Sequence, residues 1–312
     1  MKISIVTTLY KSSPYIAEFY KRLIKSIIKL GTEYEIIFVD DGSPDNSLAI
    51  VVDLFNNDPN ITVVELSRNF GHHKAMMTGL EYANGDYVLM IDSDLEEAPE
   101  LLEVYWDEIS KNKDTDVVYG KLMKRKGTFW EKLTGGLFYR LLNFLSGEKM
   151  PTDIAFSRLA TKKYISSLLR FTEKDIYIGG LWHIAGFNQV PVPITKHSKG
   201  LSSYTFRKKI EMLLNAITSF SSMPLRMIFH LGIFTTLFSI TLSIFFTVKK
   251  VFYAEVISGW TSLIVVILFM SGIIIISLGV IAIYMSKIFN EVKNRPFTIV
   301  RSIFTRKELK ND

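Results

Sequence analysis

Short apolar runs rich in β-branched residues alternate with helical patterns over the N-terminal two thirds of the chain. The runs cover residues 3–6, 35–39, 61–66, 87–91 and 117–119. Between them, apolar side chains recur at helical spacing, first at Tyr15, Phe19, Leu23 and Ile27 and later at Leu101, Val104 and Tyr105. This alternation predicts an α/β domain with a mostly parallel sheet and helices on both faces. Ligands of such sheets bind beyond the carboxyl ends of the strands.

Two uncharged stretches follow towards the C-terminus. From Met227 to Val248, 22 residues include no Asp, Glu, Lys or Arg, and a second uncharged run extends from Val256 to Ser286. At about 1.5 Å per residue, a helix of the first length crosses a hydrocarbon core of roughly 30 Å. Buried helices of soluble proteins rarely have such length without a charge. We therefore predict a hairpin of two transmembrane helices over 227–286, with its turn at 249–255.

Basic residues flank both outer ends of this hairpin. They are Arg207, Lys208, Lys209 and Arg226 before it and Lys287, Lys293, Arg295 and Arg301 after it, whereas the turn has only Lys249 and Lys250. The positive-inside rule places both outer ends in the cytoplasm. The N-terminal apolar run is too short for a secretory signal. We expect an integral protein of the cytoplasmic (inner) membrane, with a cytoplasmic domain at 1–205 and a basic cytoplasmic tail at 287–312.

Two further segments have an apolar stripe. In the segment 206–226 the stripe consists of Ile210, Leu213, Leu214, Ile217 and Phe220. Basic residues occupy other positions on the helical wheel, so this segment is predicted to be an amphipathic helix at the lipid interface. The stripe within 129–145 follows a basic cluster at 121–126. It fits an interfacial helix and a helix facing the domain core equally well.

The composition narrows the possible classes of protein. With 48% hydrophobic and 22% charged residues among 312, the chain is not disordered. The absence of Cys excludes disulfides, thiolate metal sites and thiol nucleophiles. Lys and Arg total 37 against 31 Asp and Glu. The membrane-flanking basic residues account for this excess, so no nucleic-acid partner is expected. The chain also lacks the glycine-rich motifs of dinucleotide dehydrogenases and P-loop NTPases.

Acidic residues follow two of the predicted strands. The run Asp-Asp-Gly-Ser at 40–43 follows the second strand and can also be interpreted as a helix-capping turn. Asp92 and Asp94 follow the fourth strand and, being two apart on an extended segment, can converge on one Mg²⁺ or Mn²⁺ ion. A second Asp-x-Asp, at 114–116, precedes a strand and so lies at the wrong edge of the sheet. These positions indicate a metal-dependent site for a nucleotide diphosphate.

Five motifs occur in a characteristic order along the chain. They are Asp-Asp-Gly-Ser at 40–43, Leu-Ser-Arg-Asn-Phe-Gly at 66–71, Asp-Ser-Asp-Leu at 92–95, Val-Val-Tyr-Gly at 117–120 and Ile-Thr-Ser-Phe-Ser at 217–221. Together with the two spans, they resemble the family 2 inverting glycosyltransferases, which have the Rossmann-like GT-A fold. Within that family the chain is most similar to the polyprenyl-phosphate sugar transferases, which act on dolichyl or undecaprenyl phosphate. The resemblance covers nearly the whole chain.

The resemblance implies a reaction and a set of site residues. A sugar would pass from a nucleotide sugar, with UDP favoured, to polyprenyl phosphate with inversion, giving a lipid-linked monosaccharide for a cell-envelope glycan. The nucleotide would contact Thr8, Tyr10, Asp40, Asp41 and Arg68. The cofactor, Mg²⁺ or Mn²⁺, would be bound by Asp92 and Asp94, with Glu96 as a further ligand. Arg125 and Arg158 match basic positions near the acceptor phosphate.

Other basic residues lie close to the predicted membrane surface. Lys199 and Arg207 can contact the acceptor phosphate, although such clusters also bind anionic lipid headgroups nonspecifically. His72 and His73 follow the Arg68 motif. Adjacent histidines on a helix point apart, so contact with solvent or nucleotide is favoured over metal ligation.

The chain departs from the family pattern in two places. The start reads Thr-Leu-Tyr-Lys-Ser at 8–12 instead of Pro-x-Tyr-Asn-Glu, so a carboxylate near the nucleotide is missing. Phe156 stands where relatives have an Asp proposed as the base, which leaves Asp153 as the nearby candidate. A phosphate monoester, with a second pKa near 6, is already largely ionised and needs no base.

Two alternative functions remain open from the sequence. A processive polysaccharide synthase uses the same catalytic domain, but this chain has Gly-Gly-Leu-Trp at 179–182 and no Gln-x-x-Arg-Trp segment after the Asp-x-Asp region. Two spans are also few for a polymer channel. The other alternative is an inert membrane scaffold that retains the fold and binds no nucleotide sugar. The sequence leaves homo-oligomerisation open.

Overall fold

The computed structural model describes residues 1–123, 154–174, 178–196, 221–253 and 259–306. The chain forms two compact units, one comprising 1–135, 150–203 and 295–312 and the other 136–149 and 204–294. Several predicted features lie outside the described residues. They are Arg125, Asp153, Lys199, Arg207, the apolar stripe at 129–145 and most of the interfacial helix at 206–226.

The first unit contains one sheet and the shorter helices. Its strands are β1 (Lys2–Leu9), β2 (Glu33–Asp40), β3 (Ile61–Leu66), β4 (Tyr87–Met90), β5 (Val117–Leu122), β6 (Ile154–Thr161), β7 (Gln189–Ile194) and β8 (Val300–Phe304). Its helices are α1 (Ile16–Leu30), α2 (Ser47–Asn57), α3 (His72–Glu81), α4 (Leu101–Lys111), α5 (Lys162–Leu168) and α6 (Ile178–Ile184). All five strands predicted from the sequence are confirmed.

The strand order is β7-β5-β6-β4-β1-β2-β3-β8. Strands β1, β2, β3, β4, β5 and β7 run in one direction, whereas β6 and β8 run in the other. The predicted mostly parallel sheet of the GT-A class is therefore confirmed. The carboxyl ends of β1, β2, β3 and β4 meet at one edge, and this is the edge where ligands are expected.

Helices cover both faces of the sheet, as predicted. On one face, α1 buries Ile16, Phe19, Leu23 and Ile27 at the helical spacing seen in the sequence. These side chains join apolar residues of α2, α4 and β1 in the main core. Complete burial of each such side chain contributes about 1.5–3 kcal/mol. On the opposite face, α3 packs over β1 and β2, and α5 packs over β4 and β6.

Strand β8 was not predicted. The sequence analysis assigned its residues only to a basic tail, but they pair antiparallel with β3 at the edge of the sheet. Just before β8, the carbonyl of Ile299 accepts a hydrogen bond of 2.9 Å from the amide of Ser67. The hydroxyls of Thr298 and Thr78 are 2.7 Å apart. The chain thus returns to the sheet after the apolar region and supports the loop that follows β3.

The second unit contains two long helices, α7 (Met223–Tyr253) and α8 (Trp260–Val292). Both are long and apolar enough to cross a membrane, and they contain the two predicted spans except for 256–259. Large apolar side chains are exposed along both helices, including Phe234 at 65% and Ile275 at 69%. Exposed apolar surface of this extent is typical of a surface that contacts lipid or protein.

Candidate active site

The predicted site residues of the described region gather at the carboxyl edge of the parallel strands. Leu9 ends β1 and pairs with Asp40, the last residue of β2, and Thr8 immediately precedes Leu9. The Ser93 hydroxyl, next to Asp92, donates to the carbonyl of Thr8 at 3.2 Å. The loops after β1, β2, β3 and β4 therefore form one continuous site.

Asp41 joins the loop after β2 to the loop after β3. Its carboxylate accepts amide hydrogen bonds from Phe70 at 2.7 Å and Gly71 at 3.0 Å. Burial raises the pKa of Asp41, although these two hydrogen bonds act in the opposite direction. The sequence analysis expected Asp41 to contact the nucleotide, and the structure shows that its carboxylate anchors the neighbouring loop.

Gly42 allows the same two loops to approach closely. Its φ is +60°, and a Cβ at this position would lie 2.5 Å from the backbone carbon of Arg68 and the amide nitrogen of Asn69. Both the left-handed conformation and the close backbone contact require glycine. The motifs at 40–43 and 66–71 are therefore one structural element, although they are far apart in the sequence.

One carboxylate oxygen of Asp40 is available to accept a hydrogen bond from a ligand. Its Oδ2 accepts a hydrogen bond of 3.3 Å from the amide of Ser43. Its Oδ1 is buried and has no hydrogen-bond partner among the described residues. Burial, reinforced by the charge of Glu65, raises the pKa of Asp40 to about 6 even though the Ser43 bond opposes the shift. A ligand that donates a hydrogen bond to Oδ1 would satisfy this atom.

Tyr10 and Arg68 flank this half of the site. Tyr10 is 49% exposed. The Arg68 side chain is exposed, and its guanidinium lies 4.6 Å from the centre of the Phe70 ring. Both side chains are accessible to a ligand, and their contact with a nucleotide stays a prediction.

Asp92 lies in the other half, at the end of β4. Its Oδ1 is buried, lies 3.5 Å from Nε2 of His72, and has no hydrogen-bond partner within the part of the chain that the structure describes. Burial, together with the charges of Glu97 and Asp94, raises the pKa of Asp92 to about 8. Nδ1 of His72 is 2.8 Å from the hydroxyl of Thr8. The sequence analysis favoured solvent or nucleotide contact for His72 and did not predict its contact with Asp92.

Asp94 and Glu96 belong to a tight loop. The Oδ1 atom of Asp94 accepts the amide hydrogen of Glu96 at 3.0 Å. Between them, Leu95 has a positive φ of 62°, which is uncommon for a residue with a branched side chain. The carboxylate of Glu96 pairs with the ammonium of Lys196 at 2.8 Å. The structure therefore gives Glu96 a cationic partner, and its role as a metal ligand stays a prediction.

Glu97 links this loop to β6. Its buried carboxylate accepts the amide hydrogens of Phe156 at 3.1 Å and Ser157 at 2.7 Å. Lys196 lies 3.7 Å from Glu97 and completes a small charged cluster. Burial alone would lower the pKa of Lys196, but the hydrogen bond to Glu96 and the nearby carboxylates outweigh it and raise the pKa. Lys196 follows β7, and the sequence showed it only as one member of a basic cluster.

Arg158 is buried beneath α6. Its guanidinium carbon is 3.0 Å from the centre of the Trp182 ring, and no hydrogen-bond partner for its Nε or Nη1 atom lies in the described ranges. Burial lowers the pKa of Arg158 to about 10. It lines a cavity of about 390 Å³ together with Tyr119 and His183. Trp182, which sequence reasoning did not assign to the site, also contacts the Phe156 ring, with centroids 5.4 Å apart.

The second Asp-x-Asp lies at the opposite edge of the sheet, as predicted. The carboxylate of Asp116 accepts the amide hydrogen of Asn188 at 3.2 Å. The backbone carbonyl of Asp114 accepts the side-chain amide of Asn188 at 3.0 Å. These contacts connect the start of β5 to the segment before β7, so this motif has a structural role.

The acidic loop after β4 fits a divalent cation that a ligand helps to bind. Within the described ranges, no group of three or more His, Asp or Glu side chains is arranged to hold an ion. Cations at phosphate-transfer sites commonly use one or two carboxylates, and substrate phosphates and water supply the remaining oxygens. The unpartnered Oδ1 of Asp92 and the nearby Asp94 are suited to this arrangement.

Comparison with known proteins identifies the family. Residues 4–169 match the family model described as glycosyl transferase family 2. The chain belongs to glycosyl transferase family 2. The matched region includes Asp41, Asp92, Asp94 and Arg158 and ends before Trp182.

Relatives of this family 2 glycosyltransferase match almost its whole length. The uncharacterized glycosyltransferase YkcC of Bacillus subtilis is 35% identical, over 97% of this chain and 94% of the relative. The SfII prophage-derived bactoprenol glucosyl transferase of Shigella flexneri is 30% identical, over 96% of this chain and 98% of the relative. Similarity to these proteins therefore extends across the two long helices.

A solved structure is similar over a smaller part of the chain. The glucosyl-3-phosphoglycerate synthase of Mycobacterium tuberculosis, in complex with Mn²⁺, uridine diphosphate and glucosyl-3-phosphoglycerate, has a TM-score of 0.49 and 18% identity. The match covers 72% of this chain and 81% of the synthase.

Proposed function

We propose that this glycosyltransferase transfers a sugar from a nucleotide sugar, with UDP as the expected nucleotide, to polyprenyl phosphate. The product would be a lipid-linked monosaccharide. The observation that carries the proposal is the full-length similarity to a bactoprenol glucosyl transferase, whose name specifies a polyprenol. That similarity includes both the acidic edge of the sheet and the two long apolar helices.

The nucleotide binds to the half of the site formed by the loops after β1, β2 and β3. The Oδ1 atom of Asp40 accepts a hydrogen bond from the ribose or the base, since none of the described residues donates to it. Tyr10 and Arg68 are exposed at the same edge and contact the nucleotide directly. Thr8 and Asp41 hold the surrounding loops in place through His72 and the amides at 70–71.

The diphosphate lies towards the loop after β4. Asp92 and Asp94 would hold Mg²⁺ or Mn²⁺. The bound cation would neutralise the charge that develops on the leaving diphosphate. Lys196 adds a positive charge beside the same carboxylates. The donor is thereby oriented with its anomeric carbon towards the acceptor.

The acceptor phosphate attacks without a protein base. Because a phosphate monoester is largely dianionic at neutral pH, its oxygen attacks the anomeric carbon while the bond to the nucleoside diphosphate breaks, with inversion. Phe156 packs against His72, with ring centroids 4.4 Å apart, so an apolar ring occupies the position of the relatives' Asp. Arg158 provides positive charge for the acceptor phosphate, and Arg125, Lys199 and Arg207 remain predicted contributors.

The two long helices anchor the enzyme where its acceptor is found. The strands β7 and β8 precede and follow the two helices in the chain, and both belong to the first unit. A pair of crossings returns the chain to the side from which it started. The basic flanks then favour the cytoplasmic face of the inner membrane.

A labelled-donor experiment tests this proposal. Membranes that contain the enzyme are incubated with labelled UDP- and GDP-sugars and polyprenyl phosphate, with and without a chelator. We expect a solvent-extractable lipid with one sugar residue, inverted at the anomeric carbon, and no product after chelation. A long polymer would instead identify a processive synthase, and the absence of nucleotide-sugar binding would identify an inert scaffold.

A further inference from the structure

A cavity of about 390 Å³ lies against α6, next to the aromatic side chains of the candidate site. Arg158 and Trp182 form part of its wall and are almost completely buried, with exposed fractions of 1% and 5%. The guanidinium carbon of Arg158 lies 3.0 Å from the centre of the Trp182 ring. Ten described residues line the cavity, and none of these ten is an aspartate or a glutamate.

Three N–H groups of this pair are buried, and none of the described residues accepts a hydrogen bond from them. They are the Nε and Nη1 groups of Arg158 and the Nε1 group of Trp182. The polar groups that act most strongly on the guanidinium are the hydroxyls of Tyr164, Tyr105 and Tyr119, which are neutral at physiological pH. A buried cation without a counter-charge is unfavourable, and so is a buried donor without an acceptor. A bound anion would relieve both.

We propose that Trp182 is an acceptor-binding residue, whose Nε1–H donates a hydrogen bond to the phosphate of polyprenyl phosphate beside the positive charge of Arg158. This inference rests on the proposed function, which supplies the phosphate. Sequence reasoning did not assign Trp182 to the site, and the region matched by the family model ends at residue 169. A phosphate monoester suits the cavity because its oxygens accept hydrogen bonds and its charge compensates the guanidinium.

The cavity adjoins the half of the site that is proposed to bind the diphosphate. Arg158 pairs with the last residue of β4, which comes two residues before Asp92. The Phe156 ring contacts the Trp182 ring at a centroid distance of 5.4 Å and the His72 ring at 4.4 Å. One aromatic ring therefore separates the indole from the imidazole that lies beside Asp92. A phosphate in the cavity and a donor at the acidic loop are thus neighbours.

The protein fixes the position of Trp182 before any ligand binds. Gln189, at the start of β7, donates from its side-chain amide to the carbonyl of Trp182 at 2.7 Å and to that of Gly186 at 2.6 Å. The indole ring contacts both the guanidinium of Arg158 and the ring of Phe156. A donor that is already held in place loses little conformational entropy on binding, which favours recognition of a substrate.

Nuclear magnetic resonance of the indole groups tests this assignment directly. The full-length protein, labelled with ¹⁵N-tryptophan in detergent micelles, is titrated with geranyl phosphate, inorganic phosphate or geraniol. The Nε1–H signal of Trp182 is assigned from its absence in Trp182→Phe. We expect geranyl phosphate to shift this signal downfield at lower concentrations than inorganic phosphate does, and geraniol to leave it in place.

Trp182→Phe keeps an aromatic ring beside Arg158 but removes the indole donor. We expect it to weaken geranyl phosphate binding and to raise the KM for polyprenyl phosphate about tenfold, the effect of one hydrogen bond to a charged group. The affinity for UDP should not change. Trp106→Phe is the matched control, because Trp106 lies on α4 and packs against the Tyr87 ring at 5.2 Å. This control should leave both acceptor measurements unchanged.

Arg158→Met removes the buried charge and keeps an unbranched side chain. It should weaken geranyl phosphate binding at least about a hundredfold, since the charge and its hydrogen bonds are lost together. The melting temperature of the ligand-free protein should not fall, because a buried charge without a counter-charge is removed. A lower melting temperature with unchanged geranyl phosphate affinity would show that Arg158 is structural and would overturn the proposed pocket.

The other outcomes separate this pocket from the proposed function. An unshifted Trp182 signal at a geranyl phosphate concentration that supports sugar transfer would overturn the pocket and leave the proposed function intact, and this result does not depend on any variant folding. Equal affinities for inorganic phosphate and geranyl phosphate would overturn the acceptor role and identify a site for free phosphate. A shift of the Trp182 signal by geranyl phosphate in an enzyme that transfers no sugar would support the pocket and contradict the proposed function.

Discussion

Asp41 and Asp92 are both acidic residues at the carboxyl edge of the sheet, but their surroundings are very different. Asp41 accepts hydrogen bonds from two backbone amides, whereas Oδ1 of Asp92 is buried and receives no hydrogen bond from any residue that the structure describes. Burial raises the pKa of both, and the neighbouring carboxylates Glu97 and Asp94 help to raise that of Asp92 to about 8. The carboxylate of Asp41 is thus satisfied by the protein itself, whereas Oδ1 of Asp92 is left for a ligand to satisfy.

Removing a carboxylate charge should have different effects in the two halves. In the cation half it should chiefly reduce sugar transfer, and in the nucleotide half it should chiefly reduce stability. In the cation half, Asp94→Asn should reduce sugar transfer by at least about a hundredfold, since it removes the stabilisation of the leaving group. The melting temperature should not fall. The Asn oxygen can still accept the amide hydrogen of Glu96, and the substitution relieves repulsion between carboxylates. The measurements are the rate of lipid-linked sugar formation and the melting temperature.

Asp114→Asn is the matched control for this variant. It alters the second Asp-x-Asp, at the opposite edge of the sheet, and should leave the transfer rate unchanged. An unaltered rate in Asp94→Asn would refute the metal assignment.

The next largest effect is expected from a substitution at Gly42, where two loops of the nucleotide half approach closely. Gly42→Ala introduces a Cβ that would meet the backbone of Arg68 and Asn69 at 2.5 Å. The loops must separate, so we expect nucleotide binding to be lost and the melting temperature to fall. Isothermal titration with UDP and thermal unfolding measure the two effects.

Gly31→Ala separates backbone strain from the steric clash. Gly31 also has a positive φ, of 61°, but a Cβ there meets nothing within 4 Å. This variant should cost only about 1–2 kcal/mol and leave UDP binding intact. Equal effects of the two substitutions would show that the loop contact is unimportant.

Asp41→Asn probes the anchored carboxylate. An amide side chain has one acceptor oxygen in place of two, so one of the amides of Phe70 and Gly71 loses its partner. We expect a loss of about 2 kcal/mol in stability and an increased KM for the donor. The combination of lower stability in Asp41→Asn and unchanged stability in Asp94→Asn is what the comparison requires, and similar melting temperatures would contradict it.

Two carboxylates in the turn after β2, Asp40 and Asp45, should change stability with pH in opposite directions. The folded-state pKa of Asp40 is raised to about 6, chiefly by burial, so its destabilising effect grows as the pH rises from about 4 to 6 and then remains constant. Asp40→Asn should therefore increase the melting temperature at pH 7.5 but not at pH 4. A shift of this size corresponds to a gain of up to about 3 kcal/mol at the higher pH.

Asp45 in the same turn should show the opposite sign. Burial alone would raise its pKa, but hydrogen bonds from Ser43, Ser47 and Ser13 outweigh it and lower the pKa. Its stabilising effect is present above the ordinary pKa and is lost as the pH falls. Asp45→Asn should therefore destabilise the protein more at pH 7.5 than at low pH, and thermal scans across this range compare the two variants.

The smallest effect is expected at β8, which extends the nucleotide half. Arg301 donates to Glu65 at 2.9 Å and to the carbonyl of Ser67 at 2.8 Å, but its side chain is 60% exposed. Arg301→Ala should weaken UDP binding only about two- to fivefold, as expected for an exposed ion pair. Arg306→Ala, which removes a contact with the Asn56 carbonyl instead, should not change UDP affinity.

Local patterns in the sequence were sufficient to predict the frame of the site. The strands at 61–66 and 87–91 and the stripe of α1 follow from short-range periodicity, so their positions and the edge bearing Asp92 could be inferred without tertiary information. The resemblance to the family implied nucleotide contact for Arg68 and Asp40, and this role stays a prediction.

Features that depend on distant partners could not be predicted in this way. The orientation of His72 depends on Thr8 and Asp92, and the pairing of Lys196 with Glu96 joins the ends of β7 and β4. Strand β8 has only five residues, and its pairing with β3 gives no periodic signal of its own. These contacts arise from the topology of the sheet.

The position of β8 in the chain imposes an order on biosynthesis. The ribosome makes residues 300–304 after both long helices, so the outer edge of β3 stays open during most of translation. An open strand edge can pair with other chains, and protection of that edge therefore depends on completing the polypeptide. A shortened version of the enzyme that ends at residue 222 would lack the final strand.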